Sequence, residues 1–291
     1  MYSQIDSNKR RTSLLIGLFL ILIIGLGWVF SRVYDSPVIL VVAVLFSIIQ
    51  ALVSYYYSDT IAIASSGAKE APREGAFLEL HRIVENLAIT AGIPKPKVYV
   101  ISDSSPNAFA TGRDPEHAAI GVTTGLMERL NRTQLEGVIA HEMSHIGNYD
   151  IRVMTVVVVL VGTVTLLADI FLRSMWFRSD DRSNREGGNI LLLVGLVLAI
   201  LSPIFAALIQ FAVSRKREYL ADASGALLTR YPRGLAEALE VISQDRRPLS
   251  TANHATAHLF ISNPFKGANV TALFSTHPPI EDRIKRLREM A

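Results

Sequence analysis

The sequence contains no cysteine. That excludes a disulfide framework and thiolate ligands, so any metal site must use nitrogen and oxygen donors. It also lacks a strong charge imbalance. The 29 Lys+Arg against 26 Asp+Glu leave +3 on 291 residues, which excludes a polybasic nucleic-acid binder. No internal repeat and no long low-complexity tract is present. What the chain has in excess is apolar surface: half of its residues are hydrophobic, and they are clustered.

Four apolar runs stand out, at 14–30, 38–54, 153–172 and 190–213. A helix needs roughly 20 apolar residues to span a bilayer core. The last two runs meet that length and the first two approach it. Lys9, Arg10 and Arg11 precede the first run, as in a signal peptide. No small-x-small cleavage site follows it, and a second run comes almost at once, so it reads as an uncleaved anchor. The basic residues place the N-terminus in the cytoplasm, and Arg215, Lys216 and Arg217 place the end of the fourth run there too. Arg173, Arg178, Arg182 and Arg185, between the third and fourth runs, oppose that orientation. A hairpin buried in protein is the alternative for these two runs. Asp169 and Gln210 within them each need a partner or a wet cavity. The expectation is an α+β membrane protein, mostly helical, with about four transmembrane helices. Residues 1–57 form the anchor, 58–152 and 214–291 the cytoplasmic parts, and 153–213 a helical hairpin.

Residues 58–150 read as a small α/β unit. Phe77, Leu80, Ile83, Val84 and Leu87 predict a helix over 74–90, stopped by Gly92 and Pro94. Strands are predicted at 97–101, 107–111 and 117–123, with a turn at 112–116. Thr133 and Glu136 form a capping-box pattern that starts the next helix. Residues 214–242 look helical, 247–276 loop-like, and Pro278 and Pro279 open a final basic helix over 281–290.

That central helix carries His141-Glu142-Met143-Ser144-His145. Histidines four apart lie on one helix face and can hold one metal ion, with the glutamate between them as general base. A hydrolytic zinc site wants a third protein ligand and one open position. Glu218, one and a half turns after the fourth run, is that candidate. Asp222, one turn on, suits a hydrogen bond to a ligand imidazole. The two carboxylates could exchange roles, and a solvated charge run at a membrane edge would look similar. If the third and fourth runs pack antiparallel, both ligand sets emerge on the same side at comparable height. Asn148 and Asp150 either bond a ligand or cap the helix. His81, His117, His254 and His258 have no ligand-like companions.

His141–His145 with Asn148 and Asp150, and Ser214-Arg-Lys-Arg-Glu-Tyr-Leu-Ala-Asp222 after the fourth run, resemble the HtpX-type membrane zinc metalloproteases. These are gluzincins related to the CAAX prenyl endopeptidases. Asn107-Ala-Phe-Ala-Thr-Gly112 resembles the family's strand near the active site. Ser275-Thr-His-Pro-Pro279, with Arg283 following, resembles its C-terminal motif. The likeness covers almost the whole chain. It implies a zincin-like catalytic domain holding one zinc ion, in an enzyme of the bacterial inner membrane that faces the cytoplasm. Its expected partners are the lipid bilayer and misfolded membrane proteins, cleaved in quality control and stress response. It also implies His277 as a second electrophile beside zinc, with Glu142 the general base. Tyr219 is a weaker candidate for the role of His277. The strand residues Asn107, Ala108, Phe109 and Ala110 are expected to hold substrate by strand addition. Competing readings are a prenyl-peptide processing protease, a non-catalytic chaperone stapled by metal, and an ion transporter.

Overall fold

Two N-terminal helices open the chain, α1 (Tyr2–Val33) and α2 (Pro37–Tyr56); α2, and α1 after its polar first turns, are apolar on nearly every face. Leu14, Ile21, Val41 and Ile49 point outward with no protein over them, the pattern of a helix built for lipid. Both are long and apolar enough to cross a membrane. Pro37, whose missing N–H costs nothing in a first helical turn, opens α2. The computed structural model describes residues 2–33, 35–178, 215–253, 255–265 and 278–291. The fourth apolar run with Gln210, and also His254 and His277, lie outside them.

The chain continues through α3 (Ser58–Ser65), β1 (Lys69–Glu70), α4 (Leu78–Ala91) and β2 (Lys97–Ile101). Gly92, left-handed at φ 67°, ends α4 as the sequence predicts. Next come β3 (Ala108–Gly112), β4 (Ala118–Thr123), α5 (Thr124–Arg129), α6 (Arg132–Gly147) and α7 (Asp150–Arg178). The four strands form one mixed sheet in the order β1-β2-β4-β3, with β2 and β4 parallel and both outer pairs antiparallel. Gly112 turns β3 into β4 at φ 140°, where a Cβ would lie 2.5 Å from the His117 carbonyl oxygen. Leu80, Ile83, Val84 and Leu87 of α4 pack with Val98, Ile120 and Val122 of the sheet. Leu135, Val138 and Ile139 of α6 complete this core. A second core joins Leu15, Phe19 and Ile23 of α1 to Val153, Val156, Val157 and Leu160 of α7. The start of the third apolar run is therefore sunk into protein.

Two local expectations are corrected. The capping box of α6 is Asn131 with Gln134, not Thr133 with Glu136. Asn131 Oδ1 accepts the Gln134 N–H, and Gln134 Oε1 accepts the Asn131 N–H, each at 3.0 Å. Asparagine is the stronger N-cap and wins the competition. The helical stretch expected over 214–242 is interrupted by a corner and forms two helices, α8 (Arg215–Thr229) and α9 (Pro232–Gln244). Pro232 cannot donate into a continuing helix, and Arg230 takes the left-handed φ of 54° that turns the corner. The last helix is α10 (Ile280–Glu289).

Candidate metal centre

α6 presents His141, Glu142 and His145, and α8 presents Glu218 and Asp222; all five side chains are buried. The two helices can approach because α8 has Gly225 at the crossing. A Cβ there would sit 2.9 Å from the His141 backbone nitrogen. His145 Nε2 is 3.2 Å from His141 Nε2 and 3.5 Å from Glu218 Oε1, and His141 Nε2 is 3.8 Å from Glu218 Oε2. Tetrahedral zinc with donors at about 2.0–2.2 Å separates them by about 3.3–3.6 Å. The three side chains thus outline one face of a zinc tetrahedron, and nitrogen and oxygen donors are the right chemistry for it. Among the described residues, a second cluster, Asp114, Glu116 and His117, also brings such atoms together. It lies in the β3–β4 turn, where His117 is already bonded to Asp114 and Arg113.

Each imidazole turns its other nitrogen to a carboxylate. His141 Nδ1 is 2.9 Å from Asp222 Oδ1, and His145 Nδ1 is 3.2 Å from Asp150 Oδ2. Such bonds fix tautomer and ring orientation. Asp150 follows His145 by five residues, which in a straight helix would put it on another face. The helix is not straight. α6 and α7 meet at 83°, and Tyr149 between them is left-handed at φ 58°. Asn148 caps α6, and its carbonyl faces Asn8 of α1, 2.9 Å from the Asn8 Nδ2.

Behind His141 lies Arg283, from α10. Its Nε and Nη2 donate to Asp222 at 2.9 and 2.7 Å, and its Nη1 donates to the Ile261 carbonyl at 3.1 Å. The sequence marks Arg283 only as part of a motif. Its signal was the spacing to Leu287, which puts both on the one buried face of an otherwise polar helix. Asn8 had no signal, being one polar residue among several before the first apolar run.

The charges are tuned by burial first. Burial raises the Glu142 carboxyl to about 7, against the opposing charge of His145 and the Ala110 backbone hydrogen bond. His141 is pushed below its ordinary value by burial, despite the Asp222 hydrogen bond. Burial also works against protonated His145, yet Asp150 and Glu218 outweigh it and lift the metal-free imidazole to about 9. For Asp222 burial is again opposed and overcome: Arg283 and His141 hold the carboxyl at about 2.

β3 is an edge strand, as expected of a peptide-binding strand, and its Ala110 backbone touches Glu142. Part of that edge is covered. The Ile261 N–H donates to the Ala108 carbonyl at 2.9 Å, Phe109 bridges to Phe260, and Asn107 exchanges hydrogen bonds with the Ser262 backbone. Tyr219 lies under Arg286, 4.0 Å from its ring centroid. His81 and His258 bond backbone carbonyls of Ala71 and Met154, a structural use.

The description of peptidase family M48 matches residues 75–291. The chain belongs to peptidase family M48. It is 50% identical to a protease HtpX homolog of Caldanaerobacter subterraneus subsp. tengcongensis, over 100% of this chain and 98% of that one. It is 48% identical to a protease HtpX homolog of Pyrococcus furiosus, over 97% and 95%. The crystal structure of S. mikatae Ste24p is similar in fold, with a TM-score of 0.50 and 20% identity over 99% of this chain and 67% of that one. This M48 chain is a metalloendopeptidase, mostly helical with a small mixed sheet, bearing two helices apolar enough to cross a membrane.

Proposed function

We propose that this peptidase is a zinc enzyme of the bacterial inner membrane that cuts cytoplasm-facing segments of misfolded or damaged membrane proteins. The observation that carries the reading is the face formed by His141, His145 and Glu218, with Glu142 buried beside it. These three residues would hold the ion. A bound zinc supplies Lewis acidity, lowering the pKa of water toward about 7 and polarising the scissile carbonyl. Glu142, whose burial favours taking up a proton, takes it from the attacking water and delivers it to the leaving amine. Asp222 and Asp150 hold the two imidazoles in register. Asn148 caps the helix end that aims His145. His277 is assigned the oxyanion beside the metal on the strength of its motif.

Substrate would run extended along β3, past Asn107, Ala108, Phe109 and Ala110. The contact between Ala110 and Glu142 supports this, because it carries the strand directly past the general base. A peptide paired with Ala108 must displace Ile261.

In this reading the four apolar runs all cross the bilayer and residues 58–152 and 214–291 lie in the cytoplasm. The lysines and arginines at 9–11 and 215–217 support that orientation. Anchoring then keeps the site at the interface where damaged membrane proteins expose loops. The test is degradation of a membrane substrate by the full-length protein with zinc, against Glu142→Gln. Cleavage should fall by at least about a hundredfold while bound zinc stays at one per chain. Undiminished cleavage by the variant would remove Glu142 from the chemistry and overturn the reading.

A further inference from the structure

Asp150 has two oxygens with separate duties. Oδ2 faces His145 Nδ1, while Oδ1 accepts the Asn8 Nδ2 donor at 2.7 Å. Arg217 Nε stands 3.5 Å from the same Oδ1. Asn8 belongs to α1, the first membrane-anchoring helix, and is 1% exposed. Its side-chain nitrogen serves both Asp150 and the Asn148 carbonyl, so it grips the two residues flanking the Tyr149 turn. Lys9 beside it stacks over the Tyr149 ring at 5.0 Å. A buried amide is costly unless its hydrogen bonds are made. The Nδ2 bonds are both made, on the corner that carries Asp150 back to the metal helix, while Oδ1 finds no partner among the described residues.

We propose that Asn8 is a positioning residue for the metal site. By holding Asp150 Oδ1 it aims Oδ2 at His145, which makes the membrane-anchoring helix part of the site's architecture as well as a tether. Without that donor only the longer contact from Arg217 faces Oδ1, so the carboxylate gains freedom about its last torsion and the His145 ring is held less firmly in tautomer and direction. The inference rests on the metal reading above and adds a long-range strut to it: Asn8 and Asp150 are 142 residues apart.

The test uses the full-length protein in detergent. Asn8→Leu keeps the bulk and removes the donor. Zinc affinity, measured by competition with a chelator, should fall about tenfold to a hundredfold, and the visible spectrum of the cobalt-substituted protein should change. Leu15→Ala is the packing control. Leu15 lies on the same helix in the apolar contact with α7, so this variant should melt earlier with zinc affinity intact. In an Asp150→Asn background, Asn8→Leu should cost no further affinity. If the leucine variant does not fold, Asn8→Ser, which shortens the reach of the donor, carries the same comparison. Unchanged affinity in Asn8→Leu, an equal loss in Leu15→Ala, or additive losses with Asp150→Asn would each overturn the inference. A wild-type protein that binds no zinc would defeat the metal reading instead.

Discussion

Arg283 holds Asp222 through two hydrogen bonds, at 2.9 and 2.7 Å, in a place where both side chains are almost wholly out of solvent. Asp222 in turn holds His141. The last helix of the chain therefore supports His141, one of the three proposed ligands, through one carboxylate.

Removing that support should be expensive. Arg283→Met leaves Asp222 buried without its cation, a loss of about 3–5 kcal/mol when one member of a buried pair is deleted. Arg283→Lys should recover only part of it, because an ammonium cannot reproduce the two-pronged contact. Denaturant unfolding of the metal-free proteins gives the comparison. Equal stability of all three would mean the pair contributes nothing.

The same pair predicts a weakness in acid. The Asp222 carboxyl is held at about 2 in the folded protein and titrates near 3.8 when unfolded. A depressed carboxylate contributes stability above the unfolded value and loses it as pH falls through the folded one. Unfolding free energy should therefore drop by about 2 kcal/mol between pH 5 and pH 2 from this group. Asp222→Asn should flatten that part of the curve.

Metal binding should release a proton. Metal-free His145 titrates at about 9, so at neutral pH it is protonated and must lose its proton to become a ligand. Zinc affinity should rise with pH up to about 9. Calorimetry at pH 7.5 in buffers of different ionisation enthalpy should show about one proton leaving per zinc bound. A buffer-independent heat would contradict the charged imidazole.

Gly225→Ala probes the helix crossing. The added methyl meets the His141 backbone at 2.9 Å, where only backbone movement can make room. Overpacking of this kind costs about 1–3 kcal/mol. It should also weaken zinc binding, because the α8 face carrying Glu218 is pushed from α6. An alanine variant with unaltered zinc affinity and unfolding midpoint would show that the crossing is slack.

Much of the fold is legible locally. Valine and tyrosine in alternation give β2 its place, and Gly92 stops α4 where the backbone must turn left-handed. The expected 107–111 strand is shifted by a single residue. The misses are of two kinds. At Asn131 and Thr133 two good caps compete within three residues, and only the flanking geometry ranks them. At 230–232 the apolar pattern continues across a proline, and the backbone constraint prevails over the pattern. The covering of β3 by Phe260, Ile261 and Ser262 had no signal, since a loop's partner is not written in its own residues.

For the site, the sequence by itself determined that His141 and His145 share a helix face with Glu142 between them, because the helical period is a local property of the chain. Glu218 and Asp222 share a face for the same reason. That these two faces meet at metal-bonding distance was decided by tertiary structure. It depends on a glycine at the crossing and on a left-handed tyrosine that folds Asp150 back. Arg283 and Asn8, which arrive from opposite ends of the chain, bond Asp222 and Asp150 there. Contacts between distant segments come from the shapes of packed surfaces, and no spacing within a single segment encodes them.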